Sequence, residues 1–142
     1  MALDSTPAYS GFRGGHLGQA YNEAAFRYFL DVDRLRAERA ERRVMLVLAS
    51  VREAPGRSAH LTHNTAADIF AALAASVREV DFVGWFHERR VAGAVLAQPA
   101  GAADQSLAIS NRIRSALNTT LPADRARNVH VRVIRLGRKA NR

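Results

Sequence analysis

The run VMLVLASV, from Val44 to Val51, constrains this chain more than any other stretch. It carries no charge and is too short for a stable helix. Its repeated valines favour extended backbone. A strand shows alternate residues to opposite faces, and here both faces are apolar. Such a strand belongs in the middle of a sheet that is covered on both sides. The rest of the chain must therefore supply neighbouring strands and two covering layers. At 142 residues it is long enough for one domain with a substantial core.

The flanking patterns supply those parts. Residues 1–16 are rich in Gly, Ser and Pro without periodicity and read as a flexible N-terminal arm. From Ala20 to Arg39, Phe26, Phe29, Leu30 and Leu35 recur at helical spacing opposite a charged face. After VMLVLASV, Pro55 and Gly56 break the chain, and Thr65 is the expected N-cap of a second helix carrying Ala66, Ile69, Phe70, Leu73 and Val77. Strands are expected near 80–86 and 91–98, joined by the tip His87-Glu88-Arg89-Arg90. A helix over 103–118 follows, with Leu107, Ile113 and Leu117 inward. Residues 128–136 alternate Val129, Val131 and Val133 with His130 and Arg132, the period of a strand with one wet face.

After the leading helix the order is β-α-β-β-α-β. The fold class is α+β, a ferredoxin-like antiparallel sheet with both crossover helices on one face, the first and third strands central, and an extra N-terminal helix. A domain over 17–137 and a basic tail over 138–142 complete the division of the chain.

Composition narrows the chemistry. There are no cysteines, which removes disulfides, thiolate nucleophiles and Cys-type zinc sites and suits a reducing, cytoplasmic setting. No apolar run is long enough to span a membrane, and no secretory signal pattern opens the chain. The formal charge of +8 favours anionic partners. Nucleic acid is one candidate, through phosphate contacts from Arg132, Arg135, Arg138 and Lys139. The β-α-β-β-α-β order is shared with RNA-recognition domains, but those stack bases on aromatic residues of the central strands, and VMLVLASV and VAGAVLAQ hold none. His60 and His63 lie three apart without further zinc ligands in view. Ser50, Ser58 and Ser110 have no nucleophile-elbow context.

Several strings together resemble a diguanylate cyclase (GGDEF) domain, of the nucleotidyl-cyclase fold. The segment Leu17-Gly-Gln-Ala-Tyr-Asn-Glu-Ala-Ala-Phe26 is similar to the family's LTGLYNRRAF opening at Leu17, Tyr21, Asn22, Ala25 and Phe26. Arg78-Glu-Val-Asp81 stands five residues ahead of the tip at His87, the family's spacing between its Arg-x-x-Asp motif and its signature hairpin. The resemblance spans about 17–137. The family's closing helix after the last strand is absent.

The resemblance implies a fold and a location for chemistry, but the chemical groups differ. The family's reaction, attack of a ribose 3′ oxygen on the α-phosphorus of a second GTP, needs two metal ions and carboxylates to hold them. One carboxylate belongs at the end of the first strand, where this chain has no Asp or Glu from Val44 to Val51. The GG-[DE]-E-F signature falls on His87-Glu88-Arg89-Arg90-Val91, so glycines become His and Glu and acids become two arginines. Of the family's guanine-contacting positions, Asp68 aligns with an acid, while Ala59 and Ala67 replace Asn and Gly. The expectation is a catalytically inactive GGDEF-like regulatory domain with no metal and no cofactor. Arg78 and Asp81 would bind cyclic di-GMP, an arginine holding phosphate or a guanine edge and a carboxylate accepting from guanine N–H groups. The bland reading is that Arg78 complements a helix C-terminus and pairs with Asp81. The other functional readings are a ligand-independent protein-interaction module, a homodimer included, and a basic nucleic-acid-binding domain. The tip His87, Glu88, Arg89 and Arg90 is either a binding knob or an ordinary solvated turn. Phe82, Trp85 and Phe86 read as core and sheet cover.

Overall fold

A computed structural model of the chain describes residues 7–9, 20–76, 80–98 and 103–137. In order the elements are β1 (Pro7–Tyr9), β2 (Ala20–Tyr21), α1 (Glu23–Arg39), β3 (Arg43–Ala54), β4 (Arg57–Ser58), α2 (His63–Ser76), β5 (Val80–His87), β6 (Val91–Gln98), α3 (Ser106–Thr120), α4 (Ala123–Ala126) and β7 (Val129–Gly137). The VMLVLASV run forms most of β3, and every residue from Val44 to Val51 is buried. It pairs antiparallel with β6 along one edge (Val47 opposite Ala94) and with β7 along the other (Val47 opposite Val133). With β5 beyond β6, the four main strands run β5-β6-β3-β7, so the first and third strands of the repeat are central as expected. Short β1, β2 and β4 extend the sheet. β1 lies within the segment read as an arm; the rest of 1–16, and the tail 138–142, fall outside the described residues.

The two faces of β3 sort into two cores. Met45, Val47, Ala49 and Val51 pack with α2 and α3 residues such as Ile69, Phe70, Leu73, Ile113 and Leu117. Val44, Leu46 and Leu48 pack on the other side with Phe26 and Leu30 of α1. Trp85, in the first core, meets Phe70 edge-on at 5.0 Å, and Phe82 joins the second core. Both are core residues, as their spacing implied.

Three expectations need correction. Thr65 does not cap α2. The helix starts at His63, and the Thr62 hydroxyl accepts from the Thr65 N–H at 3.2 Å, so the cap lies one turn earlier. Leu107 is 74% exposed, because the inward stripe of α3 is Ile109, Ile113 and Leu117, spaced at four residues. Leu35 is 46% exposed, while Phe26, Leu30 and Ala37 line the buried side of α1. In both helices the exposed leucine lies at the margin of the apolar stripe.

The seat of α1 is set by two glycines. Gly84 of β5 and Gly93 of β6 are direct cross-strand partners, and together they leave a pit in the sheet. The Phe26 ring fills it, fully buried. A Cβ on Gly93 would come within 2.7 Å of Phe26 Cζ, and one on Gly84 within 2.8 Å of Phe26 Cδ1. Asn22, another residue of the family-like opening string, is the N-cap of α1. Its side chain accepts the Ala25 N–H at 2.9 Å. The helix ends in a Schellman arrangement: Arg42 N–H donates to the Ala37 carbonyl at 2.8 Å, with Glu41 at φ 57 where glycine is usual.

Candidate functional site

β5 and β6 deliver the tip to the end of the sheet where β3 also terminates. The turn is closed by Arg90 N–H donating to the His87 carbonyl at 3.0 Å. Arg89 takes φ 63, the left-handed region that glycine occupies without a Cβ penalty. All four tip residues are exposed, as a turn should be, yet three of the side chains are tied down. The Glu88 carboxylate accepts the Glu23 N–H at 3.1 Å, and the Glu88 N–H donates to the Glu23 carboxylate at 2.7 Å. Glu23 opens α1, so Glu88 satisfies one of the free first-turn N–H groups and sets a negative charge at the positive end of the helix. This is a capping exchange made across 65 residues of sequence.

Arg27, one turn into α1, completes the clamp. Its Nε donates to the Phe86 carbonyl at 2.9 Å, and its guanidinium carbon lies 4.1 Å from the centre of the Phe86 ring. Its Nη2 contacts His87 Nδ1 at 3.1 Å. An arginine only donates, so Nδ1 is the acceptor in this contact. On the other flank Arg90 donates to the Ser58 carbonyl at 2.8 Å, and the Leu61 N–H donates to the Arg89 carbonyl at 2.7 Å. The tip is thus stitched to α1 on one side and to the segment after β4 on the other.

Between the tip, the end of β3, β4 and β7 lies a cavity of about 250 Å³. It sits on the α1 face of the sheet, with Leu48 in its wall. Its polar lining comes from Ser50 and Arg52 of β3, Arg57 and Ser58 of β4, His87 at the tip, and His130 and Arg132 of β7. His130 stands opposite Ser50 in the β3–β7 register, and Arg132 opposite Leu48. Arg52 Nη2 donates to His130 Nδ1 at 3.3 Å. Burial, then the charges of Arg52, Arg132 and Arg114, hold the His130 pKa below its ordinary 6.5. The tip is legible in the sequence but this cavity is not, because its residues come from five separated strands. The only signal was the even-numbered spacing of Ser50 and Arg52, and of His130 and Arg132, which sets each pair on one face of its strand.

No family model matches the chain, and no curated protein matches it. Solved structures do. The GGDEF domain of FimX from Pseudomonas aeruginosa superposes with a TM-score of 0.61 at 17% identity, covering 99% of this chain and 85% of that one. The GGDEF domain of DgcB from Caulobacter crescentus, in complex with c-di-GMP, gives 0.54 at 15% identity, covering 100% and 80%. A DGC protein from Thermotoga maritima gives 0.57 at 12% identity, covering 82% and 80%. The chain has the GGDEF-domain fold.

On that fold the cavity occupies the cleft between the first-strand end and the signature hairpin, the two places where the family resemblance put metal-holding carboxylates. The residues present do not fit metal ions. The strand end offers Leu48 and Ser50, the tip offers Arg89 and Arg90, and the one tip carboxylate, Glu88, is engaged at the start of α1. Among the described residues no three His, Asp or Glu side chains converge as a metal site requires. Arg78 lies outside the described residues, and Asp81 is placed only as a backbone position in β5. Asp68 is half-buried on α2, away from the cavity wall. Arg132 and Arg135 fall on opposite faces of β7, and Arg135 pairs with Asp104 at 3.1 Å, so these two do not join in one phosphate-binding stripe. No helix among the described residues is long and apolar enough to cross a membrane.

Proposed function

We propose that this GGDEF-fold domain is a regulatory module that does not cyclise GTP and that takes cyclic di-GMP through Arg78 and Asp81. The observation that carries the first part is the fate of the tip. Where a cyclase needs glycines and free acids, His87 leans on Arg27, Glu88 caps α1, and Arg89 and Arg90 bring positive charge. Two cations repel the metal ions that the reaction requires, and an engaged Glu88 leaves no carboxylate on the hairpin to bind them. The second part is supported by the spacing of Arg78 and Asp81 ahead of the tip and by a neighbour solved with c-di-GMP bound.

Calorimetric titration with cyclic di-GMP tests the ligand, and Arg78→Ala tests the site. The expected result is saturable binding that Arg78→Ala abolishes. Absence of heat at about 100 μM ligand, equivalent to a binding free energy weaker than about 5–6 kcal/mol, would sink the receptor reading. Turnover of GTP in Mg²⁺ or Mn²⁺ would overturn the non-cyclase reading.

A further inference from the structure

β7 pairs with β3 along its whole length, from Val129 opposite Val51 to Gly137 opposite Arg43, in one continuous register. Among the described residues no strand pairs with its other edge. The ladder fixes which groups that edge presents. The Arg52 N–H donates to the Asn128 carbonyl at 2.8 Å, and in an antiparallel pair the bonded residues recur at every second position. The even-numbered residues of β7 therefore bond to β3. Val129, Val131, Val133 and Arg135 turn their N–H and C=O groups outward. A strand of 9 residues with no proline and no bulge is a ready template for another chain.

The surroundings of this edge select what it admits. Where β7 begins, Val129 borders an open groove of about 520 Å³ between α3 and α4, with Arg114 and Arg127 on its rim. Arg132 stands on the opposite face of the strand. All three arginines are exposed, and none pairs with a carboxylate among the described residues. The second half of β7 is apolar and half-buried, with Val133 on one face and Ile134 and Leu136 on the other. Pairing two copies of this edge would bring like charges together in chains that each carry +8. We propose that the outer edge of β7 takes an extended segment of a partner protein as an added strand. Acidic side chains of that segment lie over Val129–Arg132 and apolar ones over Val133–Leu136. Backbone hydrogen bonds hold the segment, and the arginines select its charge and register. The edge lies three strands from β5, which carries Asp81, so the proposal stands or falls independently of cyclic di-GMP binding.

The probe is a fluorescein-labelled peptide, apolar and β-branched in its first half and rich in glutamate in its second. It is titrated into the whole chain and followed by anisotropy. Saturable binding that weakens with salt is expected. Hydrogen exchange should then slow at the amides of Val129, Val131, Val133 and Arg135, and not at the alternate residues already bonded to β3. Lysines in place of the glutamates should abolish binding. N-methylation of one alternate set of peptide amides should abolish it and of the other set should not, since only one edge of the added strand faces β7. Arg114→Ala should weaken binding about threefold, the scale of one exposed ion pair. Arg112→Ala removes an equal charge from the α2 side of the same helix and should leave affinity unchanged. Equal affinity for the two N-methylated peptides, or protection that does not alternate, reveals charge adsorption without strand pairing and overturns the proposal. No saturation up to about 1 mM peptide overturns it too. So does a concentration-dependent dimer that protects the same amides without peptide, because the occupant is then a second copy.

Discussion

Replacing Gly93 by alanine is a test in which the sign of the effect carries the information. In a strand, Gly→Ala ordinarily stabilises by about 0.5–1 kcal/mol, because the unfolded chain loses freedom. Here the new methyl would lie 2.7 Å from Phe26 Cζ and 3.0 Å from Cε2. Carbon atoms prefer about 3.5–4.0 Å, so the overlap approaches 1 Å. The ring has little room to retreat. It is fully buried, it meets the Phe82 ring at 5.4 Å, and it is held from behind by α1, whose first turn is fixed by Asn22 and Glu88. Overpacking of this kind costs about 1–3 kcal/mol. The net expectation is destabilisation by about 0.5–2 kcal/mol, the difference of the two terms. Urea unfolding, followed by far-UV circular dichroism and by fluorescence of Trp85, measures it. The same substitution in a Phe26→Leu background should cost nothing or stabilise, giving a coupling of about 1–2 kcal/mol between the two positions. A Gly93→Ala protein at least as stable as the parent would refute the plug-in-pit account, as would an undiminished cost when the ring is gone.

Glu88→Ala should destabilise by about 1 kcal/mol, the usual worth of a helix cap, and hydrogen exchange should quicken at the Glu23 amide more than elsewhere in α1. Arg89→Gly should stabilise by up to about 1 kcal/mol in thermal or urea unfolding, because it removes a Cβ from left-handed backbone. His130 gives a pH dependence of definite sign. Its folded pKa is depressed, so below about 6.5 the unfolded chain binds the extra proton first and stability falls as pH drops, until the folded value is passed. The charged groups acting on it are Arg52 from β3, Arg132 on its own strand and Arg114 from α3, and His130→Asn should flatten the urea midpoint just below about pH 6.5. Asp104 acts lower. Hydrogen bonds from Ser106 and the charge of Arg135 depress its pKa, so its contribution is present above 3.8 and is lost as pH falls through the folded value.

The architecture was legible because its strongest signals are local. An uninterrupted apolar octet could only be a doubly covered strand, and the β-α-β-β-α-β order then fixed which strands are central. Leu107 and Leu35 were misplaced because periodicity gives a helix face to within one residue, whereas burial is decided by what lies opposite. The tip's position was legible, but its ties were not. Nothing in the sequence joins Glu88 to Glu23, since that contact exists only once Phe26 has seated α1 on the glycine pit. The arginine-lined cleft was hidden for the same reason. Arg52, Arg57, His130 and Arg132 are unremarkable surface residues until pairing of β3 with β7 gathers them on one face.

The central position of β3 also sets a timetable. Its β6 partner lies within the first 98 residues, but its β7 partner begins only at Val129. As the chain is synthesised, an apolar strand with an unpaired edge must wait for β7 to be made before that edge is closed. Loop closure over such a span makes β7 docking a late step, and the octet meanwhile has the composition of an aggregation-prone segment. The basic, alternating β7 is therefore more than a sheet component. It is the strand that ends the vulnerable period of synthesis, and substitutions that weaken it should reduce the yield of soluble protein before they alter what the finished domain binds.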